Sequence, residues 1–321
     1  PLMAWSYNTT PRAYRRFLAL LRGLRALGIA PRGDLAALPW ISHKAYLLDL
    51  IVDDVPTVPT ELVLAGSGAS ALRAAVARAV QPLLTPISAP TPALTEAGAG
   101  TRAGAAVVIK PAVAGGGEGV ERLCLDPEGA GIDAEAGLSA AEKEASPVWR
   151  LALEALADRP LVVQPFLWRV RTCGELCCVF VNGELLHCVR KDPAGWHVGG
   201  HVGGGIDAQP VTRMDPPPAG VEATAQRALE ALAGRCGLAS PADIYLCRVD
   251  LLPGEPKPAH MGETLPEAPA SEPQWLVSEI EVGWPHLFLR AGAPRAARVA
   301  AQGLLRHLCT SLRPGHQNID D

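Results

Sequence analysis

Asn182-Gly183 separates two extended runs, Glu175 to Val181 and Glu184 to Lys191, and this constrains the fold more than any other feature of the chain. The type I′ turn of a two-residue hairpin needs positive φ at both central positions, which Asn-Gly tolerates. An antiparallel sheet is therefore expected in the middle of the sequence. Apolar strands are expected around it, at Ala105 to Ile109, Gly119 to Leu125, Leu161 to Phe166, Ile244 to Leu252 and Trp275 to Val282.

Helical periodicity fills the intervals. Residues 11–28 place Tyr14, Phe17, Leu18, Leu21, Leu24 and Leu27 at three- and four-residue spacing with arginines between them, the pattern of an amphipathic helix. Further helices are expected over Lys44 to Val52, 67–81, Val148 to Ala157, 220–236 and 292–312. A short connection precedes Ser42, and Val55-Pro-Thr-Val-Pro-Thr60 is extended because a residue before proline is pushed out of the α region. The stretches 82–104, 126–147 and 253–274 read as loops or exposed insertions. The result is an α/β (α+β) chain with no repeat of fixed period.

With 321 residues, 48% of them apolar, the chain can bury a substantial core, in two domains or one large one. A net charge of −4 argues against the basic stripe of a duplex-binding surface, so no nucleic acid is expected as partner. The sequence has no run of eighteen apolar residues, so no membrane partner is expected either. Eight cysteines without paired CxxC spacing predict reduced thiols in a cytoplasmic protein. The chain opens at Pro1 rather than Met, and the expectation is that its natural start, with any organellar targeting segment, has been removed.

The chemistry is concentrated late in the sequence. Asp250 lies two residues after Arg248, and Glu279 two before Glu281, so within each strand the pair projects from one face. Three carboxylates meeting on neighbouring strands need a cation to stay ionised, and hard oxygen ligands that leave room for phosphate oxygens suit Mg²⁺. The alternative is a solvated edge strand; Ile280 and Val282, which point the other way and read as buried, favour the cluster. Earlier, Ile109-Lys110-Pro111 runs into Gly115, Gly116, Gly117 and Gly119, whose backbone N–H groups could approach phosphate while Lys110 supplies a point charge. Such loops also occur for structural reasons alone. This one is neither a Walker A loop nor a GxGxxG turn.

Taken in order, Val107-Val-Ile-Lys-Pro-Ala-Val-Ala-Gly-Gly-Gly117, Val163-Gln-Pro-Phe166, Gly174-Glu175, His187-Cys-Val-Arg-Lys191, Arg248-Val-Asp250 and Ser278-Glu-Ile-Glu-Val-Gly-Trp-Pro285 resemble the ATP-grasp superfamily. Nearest are its bacterial glutathione synthetases, D-alanine ligases and the cycloserine-pathway cyclo-ligase. The resemblance implies two α/β subdomains whose antiparallel sheets clasp a nucleotide: a small lid subdomain over 65–160 and a metal-bearing one over 161–321, after a partial N-terminal (pre-ATP-grasp) segment and linker, 1–64. It implies an ATP- and Mg²⁺-dependent carboxylate–amine ligase working through an acyl-phosphate on small amino-acid-like substrates. Two magnesium ions, replaceable by Mn²⁺, would be held by Asp250, Glu279 and Glu281. Lys44 and Lys110 would be the nucleotide lysines, and Gly115, Gly116 and Gly117 the phosphate loop. Gln164, Pro165, Phe166 and Leu167 would form the hinge against adenine. Glu175, Arg190 and Lys191 would line the cleft, and Arg248 would steady the acyl-phosphate. A homodimer is an assembly the resemblance allows.

Two positions depart from the pattern. Glu281 stands where relatives commonly have asparagine, and His197 where they carry an arginine, which bears on rate rather than fold. One alternative is therefore a catalytically weakened nucleotide-binding regulator; a separate one is a small-molecule kinase on the same scaffold. His187, His197 and His201 lack the spacing of a zinc site. Cys177 and Cys178, adjacent on a strand, face opposite sides and read as packing residues, as do Trp284 and Phe288.

Overall fold

The computed structural model describes residues 10–27, 34–81, 106–115, 117–125, 147–192, 210–255, 273–282 and 285–289, together with 291, 298–299, 301–303 and 305. The helix expected over 292–312 and the residues Gly116, His197, His201 and Trp284 lie wholly or largely outside them.

Among the described residues, nine strands form two antiparallel sheets. The first contains β1 (Glu61–Val63), β2 (Ala106–Pro111), β3 (Glu121–Cys124) and β4 (Leu161–Pro165), in the order β1-β4-β2-β3. The second contains β5 (Glu175–Val181), β6 (Glu184–Lys191), β7 (Val211–Met214), β8 (Leu246–Pro253) and β9 (Trp275–Val282), in the order β7-β6-β5-β8-β9. The β5–β6 hairpin turns at Asn182 and Gly183 with φ of 50° and 79°, the left-handed pair that a twisted hairpin requires. A side chain at Gly183 would also strike the backbone of Ala242 at 2.8 Å.

Each sheet buries one face under helices. On the first sheet, α4 (Gly68–Val80) and α5 (Pro147–Leu156) cover a core that includes Leu72, Val76, Leu123 and Leu161. On the second, α2 (Asp34–Ile41), α3 (Tyr46–Val52) and α7 (Val221–Arg235) enclose Leu47, Leu50, Leu229 and Leu232, all fully buried. Helix α1 (Pro11–Ala26) starts at Thr10, whose Oγ1 accepts from the Ala13 N–H, and adds Leu21 to that core. Among the described residues, no single helix is long and apolar enough to cross a membrane.

The elements the sequence reading missed are short. Helix α2 takes the place of the expected connection; it is eight residues long with Pro39 inside, which reads as a break by propensity and survives because Ala37 and Leu38 are buried. Strands β1 and β7 have three and four residues and sit at sheet edges. Strands β1 and β4, which the sequence-based division put outside the 65–160 unit, both pair into the first sheet. The chain passes between the sheets twice here, through the linker 53–60 and through residues 166–174, where the short helix α6 (Val170–Cys173) sits.

Candidate active site

The uncovered faces of the two sheets look onto a shared cleft. Strand alternation decides what lines it. On β5, Leu176, Cys178 and Phe180 enter the helix-covered core, which leaves Glu175 and Cys177 on the opposite face. The β8–β9 register sets Arg248 opposite Glu281 and Asp250 opposite Glu279. A bulge follows at once: Leu251 pairs with Val277, so Ser278 is the extra residue, and its hydroxyl donates to the Asp250 carbonyl at 3.0 Å. The register therefore brings the three carboxylates together. Ligand oxygens of Asp250, Glu279 and Glu281 lie within 4.8 Å of one another. Asp250 is 2% exposed, whereas the side chains of Glu279 and Glu281 are 29% and 21% exposed toward the cleft.

Cations hold the cluster in this state. Arg248 donates from Nε and Nη2 to the two oxygens of Asp250, both at 2.7 Å, and its Nη2 lies 2.8 Å from Glu281. Lys44 Nζ is 2.8 Å from Glu279 Oε1 and donates to the Ala114 carbonyl at 2.7 Å. Burial alone would raise the Glu279 pKa, but Lys44 and Lys110 pull it down to about 2. Glu281 goes the other way: burial, then the charges of Asp250 and Glu279, outweigh Arg248 and lift it to about 7. Burial lowers the Lys110 pKa to about 8 despite Glu279. The all-oxygen donor set and the two cations drawn onto it fit a hard divalent ion, and zinc is disfavoured by the donor chemistry.

Lys110 reaches the cleft from β2, beneath the loop that begins at Ala112. Gly115 and Gly117 line the same space. Gly119 has φ of 68°, and a Cβ there would press on the Pro111 ring at 3.0 Å, so the loop returns to β3 only with glycine at this point. Gln164, Pro165, Phe166 and Leu167 line the other end, where Val108, Val170 and Leu252 make the wall apolar. The Gln164 amide itself is turned to Thr60 Oγ1, to which it donates at 2.9 Å. Arg122 stacks 5.1 Å from the Phe166 ring centroid and 5.8 Å from that of Trp168.

Glu175 and Lys191 face each other across the hairpin, 2.6 Å apart. Burial opposes the lysine charge, but Glu175 and the other negative groups around it raise its pKa. Arg190 is not brought into the cleft. One residue from Lys191 on a strand, it projects from the other face and bonds Asp192 at 2.6 Å and the Thr172 carbonyl at 3.0 Å. Phe288 is buried as expected; it packs on Cys177 and Val189 and lies 5.5 Å from the Arg248 guanidinium. Among the described residues, no histidine joins a metal-binding cluster. Sequence reasoning missed Leu252 and Ser278: the first follows from continuing the Arg248–Asp250 alternation, while the second depends on the bulge.

The chain has the ATP-grasp fold. It is similar to a solved D-cycloserine synthetase, DcsG, at 22% identity and a TM-score of 0.64, covering 95% of this chain and 81% of that one. It is also similar to D-alanyl-alanine synthetase A from Vibrio cholerae, at 12% identity and a TM-score of 0.53, covering 91% and 71% respectively. No family model and no curated protein matches the chain.

Proposed function

We propose that this protein is an ATP- and magnesium-dependent ligase that joins a small carboxylate to an amine. The observation that carries the reading is the convergence of Asp250, Glu279 and Glu281 with Lys44 at one end of a cleft whose other end is apolar. Two solved structures of similar fold are a D-cycloserine synthetase and a D-alanyl-alanine synthetase by name, which supports small amino-acid-like substrates.

Adenine would lie in the apolar end, among Val108, Phe166, Leu167 and Leu252, with the phosphates directed to Lys44, Lys110 and the loop at Gly115 to Gly117. Asp250, Glu279 and Glu281 would hold magnesium, which when bound neutralises phosphate charge and orients the transferred group. A substrate carboxylate oxygen attacks the γ-phosphorus, the β–γ bond breaks, and ADP leaves. The amine nitrogen then attacks the acyl carbon and the C–O bond to phosphate breaks, the phosphate leaving with the proton that the nitrogen gives up. Arg248, already turned toward this end of the cleft, would stabilise oxygen charge in both steps. The glycine loop excludes water that would hydrolyse the acyl-phosphate.

The test is a panel of amino acids assayed for ATP- and Mg²⁺-dependent phosphate release, with hydroxylamine present to trap acyl-phosphate as a hydroxamate. The proposal predicts release that depends on a carboxylate substrate, together with hydroxamate. Tight nucleotide binding with no turnover would indicate a non-catalytic binding protein. ADP with a stable phosphorylated product would indicate a kinase.

A further inference from the structure

We infer that Tyr46 is a positioning residue for the magnesium site, acting through the backbone of the one residue that separates Glu279 from Glu281. The inference rests on the metal reading above. Among the described residues, β9 is the outer strand of its sheet, so one of its edges has no neighbouring strand there to satisfy its N–H and C=O groups. The linker covers part of that edge: Val58 N–H donates to the Val277 carbonyl at 2.9 Å, and Val277 N–H donates to that of Pro56 at 2.8 Å. Further along, a side chain takes over. The Ile280 N–H donates to the Tyr46 hydroxyl at 2.8 Å, and that hydroxyl donates to the Ile280 carbonyl at 3.5 Å. One phenol, both acceptor and donor, thus replaces the missing strand at Ile280.

Tyr46 is itself fixed. It is 2% exposed, its ring packs on Trp40 at 5.1 Å between centroids, and it begins α3, whose Leu47 and Leu50 have no exposed surface. Two residues earlier, the Lys44 N–H donates to the Ala112 carbonyl at 2.7 Å while its ammonium holds Glu279. Residues 44–46 therefore grip β9 at two successive points, the side chain of Glu279 and the backbone of Ile280. Magnesium demands near-octahedral ligands at short distance, so a strand edge free to shift between two of its ligands would weaken it first. Tyr46→Phe keeps the ring and deletes only the hydroxyl, leaving a buried N–H without its partner.

Calorimetric titration of a non-hydrolysable ATP analogue into wild type, Tyr46→Phe and Arg235→Ala, across a series of Mg²⁺ concentrations and in EDTA, tests the inference. Arg235→Ala removes the exposed ion pair with Asp53, 2.7 Å long, that ties α7 to the far end of α3, and controls for general loosening. Tyr46→Phe should raise the Mg²⁺ concentration for half-maximal binding by about tenfold or more, the scale seen for partners that orient metal ligands, and leave binding in EDTA unchanged. Arg235→Ala should change neither. An unshifted Mg²⁺ dependence in Tyr46→Phe, an equal loss in EDTA, or an equal shift in Arg235→Ala would overturn it. Wild type reports separately on the underlying reading: without any Mg²⁺ dependence there, the metal site itself is wrong and the inference falls with it. Amide exchange on wild type is a second check, in which Ile280 should exchange as slowly as the paired residues of β8; rapid exchange would also overturn the inference.

Discussion

Lys44 and Glu279, 235 positions apart in sequence, meet at 2.8 Å, and the same ammonium donates to the Ala114 carbonyl at the start of the glycine loop. One side chain thus spans the loop of the first sheet and strand β9 of the second. In the proposed reaction it holds the carboxylate cluster until phosphate and magnesium arrive, and then turns to phosphate. Lys44→Met should weaken binding of an ATP analogue by about tenfold or more, since a cleft charge loses its partner, as measured by calorimetry.

Asp250 and Glu279 face each other across the β8–β9 ladder, and neutralising either removes one of the three carboxylates that the cluster offers a cation. Asp250→Asn or Glu279→Gln should lower Mg²⁺-dependent phosphate release by at least about a hundredfold, the scale of losing a main electrostatic group at a reacting centre. Activity that survives both substitutions would refute the metal assignment.

Lys191 and Arg190 separate two readings of the same basic pair. Lys191, paired with Glu175, lines the cleft, while Arg190 bonds Asp192 and the Thr172 carbonyl outside it. Steady-state kinetics should show kcat/KM falling by about a hundredfold in Lys191→Ala, which removes a cleft charge. In Arg190→Ala it should stay within about threefold, as for an exposed ion pair.

The pH dependence follows from two groups. Burial, then Asp250 and Glu279, keep a proton on Glu281 up to about 7. Magnesium binds only the deprotonated carboxylate, so its affinity should rise as pH increases from 6 to 8, with proton release on binding. Burial brings Lys110 to about 8, so its attraction for phosphate fades above that pH. Affinity for nucleotide with Mg²⁺ should peak between about 7 and 8, and Glu281→Gln should flatten the acid limb, as read from titrations across buffers.

Most of this site was legible because β-strand alternation is a local rule. Arg248 with Asp250, and Glu279 with Glu281, could be placed on one face from spacing alone, and Asn182-Gly183 located the sheet that carries Glu175 and Lys191. The same rule, applied to Arg190 beside Lys191, would have excluded Arg190; treating the two as one basic pair obscured it. Ser278 depends on a bulge, which is a property of two paired strands and has no signature in either one. Tyr46 was invisible for a similar reason, since its partner is the backbone of a residue 234 positions away. Helix α2 was hidden by Pro39, where burial in the core overrides propensity.

A crystal structure with a non-hydrolysable ATP analogue and Mg²⁺ tests the central claim most directly. The account predicts the triphosphate between Lys44 and Lys110, magnesium on Asp250, Glu279 and Glu281, and adenine beside Phe166 and Leu167. Nucleotide bound elsewhere, or carboxylates still paired only with Arg248 and Lys44 when the analogue is present, would contradict it.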